Sequence, residues 1–517
     1  KDAMPEGMNA LPALASLQPA PVTRTRTGST GTVDDQAGDS AGITPVIVQK
    51  TALPQINFKL LFRAGSAQDP KGKEGLAALT AAMITRGGSS ERRIDEINQA
   101  LFPLAGSFVS QVDKEMMTFT GSIHRDNWNA FAGVALPMLV SPGFREEDFR
   151  RLKDAQKNAL LLDLKNNNEE EFAKERLQAN VFAGTPYGHP VLGTVKGIDA
   201  ISLEDVKGFW RSWLMQGGLS VGIAGDASDE IINALKGEIR KLPRGSAPVT
   251  TSFVTGRMPV GLEVEIIEKD TRATAISLGL PIEVTRRHPD FAALWVAKTW
   301  LGEHRESNGR LYQRIREIRG MNYGDYAYIE AFPRGMFQFF PDPNLARKAQ
   351  LFEIWIRPVA PENAHMALRI ALHELGTMID KGLTDAQFTA TRDYLMKNVF
   401  LMTSTQNQQL GYALDSQWYG VAEFTKMMRT SLGKLTAADV NAAIRKHLSA
   451  KNLSIVAITK DAAGLKEKLV ADGFSSIKYD AKQGKDLLEE DQVIGNLKLG
   501  IKAESVSIIP ADKVFAE

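Results

Sequence analysis

The stretch "ISLEDVKGFWRSWLMQGGLSVGIAGDA", from Ile201, and the stretch "LTAADVNAAIRKHLSAKNLSIVAITKDA", from Leu435, run in phase at a constant separation of 234 residues. Asp205 and Asp439, Val206 and Val440, Arg211 and Arg445, Leu214 and Leu448, Leu219 and Leu453, and Ser220 and Ser454 are identical pairs. Each stretch opens on a hydroxyl residue with an aspartate three positions on: Ser202 with Asp205, and Thr436 with Asp439. That spacing is a capping box, in which the hydroxyl accepts a free helix N–H and the carboxylate bonds back. Helix, short turn and β-strand follow in both. A unit repeated at this distance implies two similar domains of roughly 200 to 230 residues, since one core does not grow to fill a chain of this length.

The rest of the chain divides around that repeat. Residues 1–44, rich in Ala, Pro, Thr, Ser and Gly, bury too little apolar surface to offset their ordering entropy and read as an extended arm. Residues 45–240 form a first α+β domain and 241–261, with "RKLPRGSAPVTTSFVTGRMPVG", a linker. A second α+β domain covers 262–473, and 474–517 is a tail with one or two short strands. "TPVIVQKT" and "QINFKLLFRAG" read as paired strands, as do the two runs of "LEVEIIEKDTRATAISLGLPIEV". "SFVSQVDKEMMTFTGSI" is two strands around a polar turn, and "GLAALTAAMIT" a helix. "EEDFRRLKDAQKNALLLDLKNNNEEEFAKERLQANVF" has the spacing of one long helical region. Antiparallel strands with helices grouped after them make each domain an α+β sandwich.

Composition excludes several functions. The chain has no cysteine, which removes thiol chemistry, disulfides and thiolate metal sites. A net charge of +1 gives no field for nucleic acid. No apolar run approaches the roughly 18 residues that span a bilayer. "GSTGTVDDQAG" lacks the Lys-Ser/Thr of a phosphate loop, and "PDPN" falls short of a calcium loop. The histidines, at 124, 189, 288, 304, 365, 373 and 447, form no H-x-x-E-H or H-x3-H pair and read as surface or core residues. No spacing points to a metal.

From about residue 45 to 473 the chain resembles the zinc metallopeptidases that include pitrilysin, insulin-degrading enzyme and the mitochondrial processing peptidase. The resemblance rests on "GSAQDPKGKEGLAALTAAM", "FAGTPYGHPVLGTVKGIDAISLEDVKGFW", "LSVGIAGDA" and "LWVAKTWLGEHRESNGRLYQRIREIRGMNYGDYAY". It implies two homologous α/β sandwich (roll) domains of the inverzincin metallopeptidase fold. That family carries H-x-x-E-H on a helix, two histidines holding zinc and a glutamate acting as general base. Here the histidine positions are Ala78 and Ala82 and the base position is Ala81. The third ligand, a glutamate, would fall near Asn158 and Ala159, where there is none; Asp154 and Asp163 are the nearest carboxylates. Methyl groups donate no electron pair, so no metal is expected at these positions.

The resemblance also matches Arg316 and Tyr323 to an Arg/Tyr pair that binds substrate and stabilises the transition state at a zinc site. Read alone, Arg316 among Arg310, Arg314 and Arg319 is equally the wet face of a helix, and Tyr323 a strand residue. "TPYGHPVLG" reads as a structural turn rather than a Tyr187–His189 catalytic pair. The implied function is the non-zinc subunit of a heteromeric zinc endopeptidase of the bacterial heterodimer type. It degrades unfolded peptides with a homologous partner that carries intact H-x-x-E-H and the zinc, and is inactive alone. The alternative is a purely structural or peptide-binding scaffold. A periplasmic location is expected, with the cytoplasm as alternative.

Overall fold

The first half of the chain holds strands β1 (Ile47–Lys50), β2 (Gln55–Phe62), β3 (Ser107–Val112), β4 (Met117–His124) and β5 (Leu219–Gly225), in the spatial order β1-β5-β2-β4-β3. The second half holds β6 (Leu262–Glu268), β7 (Thr274–Ile282), β8 (Asp325–Tyr328), β9 (Gln350–Val359) and β10 (Leu453–Thr459), in the equivalent order β6-β10-β7-β9-β8. A last strand, β11 (Val506–Pro510), adds in parallel to the free side of β6. This computed structural model describes residues 46–245, 248, 254–479 and 481–517. The expected arm, 1–44, and part of the linker lie outside the described residues.

Both capping boxes form. Asp205 N donates to Ser202 Oγ at 3.2 Å and Ser202 N to the Asp205 carboxylate at 2.8 Å. Thr436 and Asp439 make the same two bonds at 3.2 and 2.9 Å. The helices they start span Leu203–Trp213 and Ala437–His447, and β5 and β10 follow them at the same interval. The repeat is therefore one unit folded twice.

The opening strands of each half are not paired, contrary to expectation. β5 lies between β1 and β2, and β10 between β6 and β7. The reason is burial on both faces: all seven residues of β5 and of β10 are buried, as in strands covered on two sides. One cover of the first sheet is its own helices, including α1 (Leu76–Arg86) and Trp128–Val140. The other is the helix Gln406–Tyr419, from the second half of the chain. It comes so close to β5 that a Cβ on Gly222 would sit 2.6 Å from Leu410 Cδ1. Reciprocally, the helix Glu169–Val181 of the first half lies on β7, β9 and β10. Each half covers the other's sheet.

That exchange breaks the expected long helix. Glu146–Asn158 runs into a widened π-helical stretch, Ala159–Asn166, and then stops. Asn168 caps the next helix, its side chain accepting from Glu171 N at 3.1 Å, and three glutamates fill the first turn. These are the residues a helix N-terminus favours.

The polar turn between β3 and β4 is buried. Asp113, Lys114, Glu115 and Met116 are each at most 5% exposed. Arg347, from the second half, holds both oxygens of Asp113 at 2.6 and 2.7 Å. Glu115 accepts from Tyr187 Oη at 2.7 Å, and Lys114 donates to the carbonyl of His189. The tail contributes a helix, Lys485–Gly495, besides β11, and ends against the first half. There Val195 N and Lys196 N donate to the carbonyls of Phe515 and Ala516 at 2.9 and 3.0 Å.

Helix α1 is held at its start. Asp69 accepts from Gly75 N and Ala77 N, each at 2.7 Å. Gly75 adopts φ +106°, and a Cβ there would meet Leu192 O at 2.6 Å. Burial pushes the Asp69 carboxyl from 3.8 up to about 7, against the pull of its two backbone bonds.

Two outcomes follow. Arg347→Ala or Asp113→Ala, each stranding a buried charge, lowers stability by about 3–5 kcal/mol. A double replacement by apolar residues of similar volume costs less than either, as read by urea unfolding. For Asp69, a raised carboxyl binds a proton more tightly when folded. Its contribution is complete below about pH 4 and lost as the pH rises to about 7. The stability of the parent relative to Asp69→Asn therefore falls from about pH 4 to about pH 7 and is flat above. A gap independent of pH refutes the buried proton.

Candidate functional site

Helix α1 presents Leu76, Leu79, Met83 and Ile84 to the core of the first half. Ala81 is also buried, whereas Ala78 and Ala82 are half-buried. The Ala81 carbonyl accepts from Thr85 Oγ1 at 3.1 Å and from Ser110 Oγ of β3 at 3.4 Å. Of the positions near the expected third ligand, Asp154 and Asp163 are exposed and Ala159 begins the widened helical stretch.

A chamber of about 950 Å³ opens beside these elements. One wall is β3, from Val109 to Val112, with Asp113, Ala159 and Asp163; the opposite wall is the segment from Pro333 to Leu345. Among the described residues β3 is the edge strand of its sheet, bonded to β4 on one side only. Gln111 Nε2 crosses the gap to Pro343 O at 2.9 Å and sets the separation of the walls. Val109 and Phe337 offer exposed apolar surface to the chamber, at 55% and 74%. Sequence reading identified β3 as a strand but not as an edge, and it did not see the segment from Pro333 to Leu345 as a wall; no local signal in "SFVSQV" marks an edge.

Arg316 and Tyr323 stand in the second half, apart from α1. Neither lines the chamber, and no bond or ring contact joins either to Ala78, Ala81 or Ala82. The arginines around Arg316 are committed to the fold. Arg310 and Arg314 hold the buried Glu374 at 2.7 and 3.3 Å. Arg314 also meets Glu490 of the tail helix, and Arg319 holds Glu490 and Asp491 at 2.8 Å. Among the described residues Arg316 pairs only with its neighbour Glu317, at 3.5 Å, and lies over the Tyr312 ring at 4.8 Å. Tyr312 in turn packs against Gly324, so Arg316 and Tyr323 share one end of β8. Tyr323 is 76% exposed, and its hydroxyl has no partner among the described residues.

"TPYGHPVLG" is built in as a turn. Tyr187 is buried, and Lys348 N donates to its hydroxyl at 3.1 Å. His189 Nδ1 lies 2.9 Å from Pro190 O, and burial pushes its imidazole down to about 4. His304 is enclosed by Tyr328 Oη at 2.6 Å and Gln338 O at 2.8 Å. His288 and His447, unrelated by any spacing, both face Asp290.

Comparison with known proteins fits this architecture. A profile described as "Insulinase (Peptidase family M16)" matches residues 46–195, and one described as "Peptidase M16 inactive domain" matches residues 200–395. The non-peptidase homolog YmxG of Helicobacter pylori is 23% identical over 419 residues, covering 80% of this chain and 91% of that protein. An uncharacterized zinc protease of Streptomyces coelicolor is 23% identical over 428 residues, covering 80% and 88%. Among solved structures, a peptidase M16 inactive domain from Pseudomonas fluorescens superposes with TM-score 0.68 at 22% identity, over 80% of this chain and 94% of that one. A chain of complex III2 from Candida albicans superposes with TM-score 0.63 at 12% identity, over 81% and 96%. With the doubled α/β domain, the shared strand order and two adjoining profiles in agreement, the chain belongs to the insulinase family, peptidase family M16.

Proposed function

We propose that this chain is the non-zinc subunit of a heteromeric zinc endopeptidase, working beside a homologous subunit that carries intact H-x-x-E-H. The observation that carries the reading is the state of Arg316 and Tyr323. In a run where Arg310, Arg314 and Arg319 are all spent on ion pairs with distant carboxylates, Arg316 meets only its neighbour Glu317 and the Tyr312 ring among the described residues. Close by, an exposed tyrosine keeps its hydroxyl open. Such a pair holds a substrate carbonyl and donates a hydrogen bond to a developing oxyanion.

The residues at 78, 81 and 82 do not fit a zinc ion, because alanine has no electron pair to give. The water-activating metal then belongs to the partner. This chain supplies the Arg/Tyr pair across the subunit boundary. The open edge of β3 gives an extended peptide a row of unpaired backbone groups, and an unfolded chain docks there with little demand on its sequence. A periplasmic site of action is part of the same proposal. No helix among the described residues is long and apolar enough to cross a membrane.

A scaffold without catalytic residues is the second reading, favoured by the family's non-peptidase member in Helicobacter pylori. Reconstitution with the zinc-bearing partner separates the two. The chain alone cleaves no peptide. In the complex, Tyr323→Phe and Arg316→Ala each lower kcat by roughly 10²–10³ with assembly intact. Full cleavage by both variants leaves only the scaffold.

A further inference from the structure

We propose that His288, Asp290 and His447 form a binding site for a divalent transition-metal ion in the second half of the chain. His288 and Asp290 lie on the turn that enters the helix Phe291–Gly302, and His447 is the last residue of the helix Ala437–His447. Asp290 and His447 are 157 residues apart in sequence, so only the fold brings them together.

The geometry is that of ligands around a common point. Asp290 Oδ2 lies 2.7 Å from His447 Nε2 and 3.9 Å from His288 Nδ1. One donor atom from each of the three residues falls within 4.8 Å of the other two. Tetrahedral zinc with bonds of about 2.0–2.1 Å sets its ligand atoms about 3.3 Å apart. The two observed spacings bracket that value, so small side-chain rotations complete the site.

A second observation concerns Asp290 alone. It occupies the N-cap position of the helix Phe291–Gly302, yet its carboxylate makes no capping bond. An aspartate there ordinarily accepts a helix N–H. Instead it turns outward to the two imidazoles, whose rings meet edge to face at 5.2 Å.

Lys446 occupies part of the ion's place, its ammonium 2.8 Å from Asp290 Oδ2. The lysine is 62% exposed and can move to water when a dication arrives. The ion also displaces the bond from Asp290 N to His288 Nδ1, at 3.0 Å. Two imidazoles and one carboxylate select zinc, cobalt, nickel or copper over magnesium or calcium. The ion clips the start of one helix to the end of another.

The test uses the untagged full chain, stripped with chelator and titrated with Zn²⁺ by calorimetry and with Co²⁺ by visible absorption. The expected result is one saturable site per chain, a cobalt d–d band, and a melting temperature raised by zinc. His288→Gln and His447→Ala abolish all three, with circular dichroism unchanged, and Lys446→Met tightens binding. A parent chain without saturable binding overturns the proposal, and so does a double variant His288→Gln/His447→Ala that binds as the parent does. The parent and Lys446→Met leave the ligands intact, so they decide the matter even if a ligand variant fails to fold. Peptide cleavage by the zinc-loaded chain alone would instead strike at the proposed subunit role.

Discussion

Each sheet of this protein has two apolar faces, and its own half of the chain supplies helices for only one. The exchange of Glu169–Val181 for Gln406–Tyr419 resolves that shortage. A strand buried on both sides is stable only with both covers in place, because exposed apolar area costs about 25 cal/mol per Å². Neither half therefore completes its core without the other. The buried turn at Asp113–Met116 follows from this. Once the halves interlock, its charges are enclosed, and Arg347 and Tyr187 must meet them.

The interlock also decides which backbone remains open. Helices cover faces, not edges, and the exchanged helices sit over the middle strands. β3 ends its sheet with one row of backbone groups unpaired. The bond from Gln111 to Pro343 holds the second half at a distance from β3 rather than against it. The chamber is thus a by-product of how the halves are pinned. An edge inside a chamber is shielded from other folded chains, which is one way proteins manage an edge strand.

The repeat made the duplicated architecture legible, because capping boxes at Ser202 and Thr436 are local devices that a sequence displays in full. The hairpin of β3 and β4 was legible for the same reason. What escaped depends on distant partners. Nothing local in "TPVIVQKT" says that β5, some 170 residues on, will enter beside it. The small residue at Gly222 makes sense only once Leu410 is known to press on it. The apolar spacing of 146–182 reads as one helical region, although Asn168 followed by three glutamates is a local cap signal for the break. "VDKEMM" read as a wet turn because its counter-charges, Arg347 above all, come from the other half. Of the candidate site, the alanines of α1 and the arginine run were plain. Which carboxylates hold Arg310, Arg314 and Arg319, and that Arg316 reaches none of them, depends on residues far away in the chain.

The state of α1 shows why a helix can persist without donors at 78, 81 and 82. Its attachment relies on other residues: Asp69 and Gly75 at the entry, and Leu76, Leu79, Met83 and Ile84 on the buried side. Alanine has the highest intrinsic helix propensity and gives up no side-chain entropy, so these positions support the helix rather than strain it. Ala81 is also buried in the core of the first half. Packing and chemistry occupy different residues of the same helix, and each can vary without the other. The same separation holds for the arginine run, where Arg310 holds Glu374, Arg314 and Arg319 secure the tail helix, and Arg316 does neither. A replacement at Arg316 therefore tests function with the fold left intact, whereas one at Arg319 would test the fold itself.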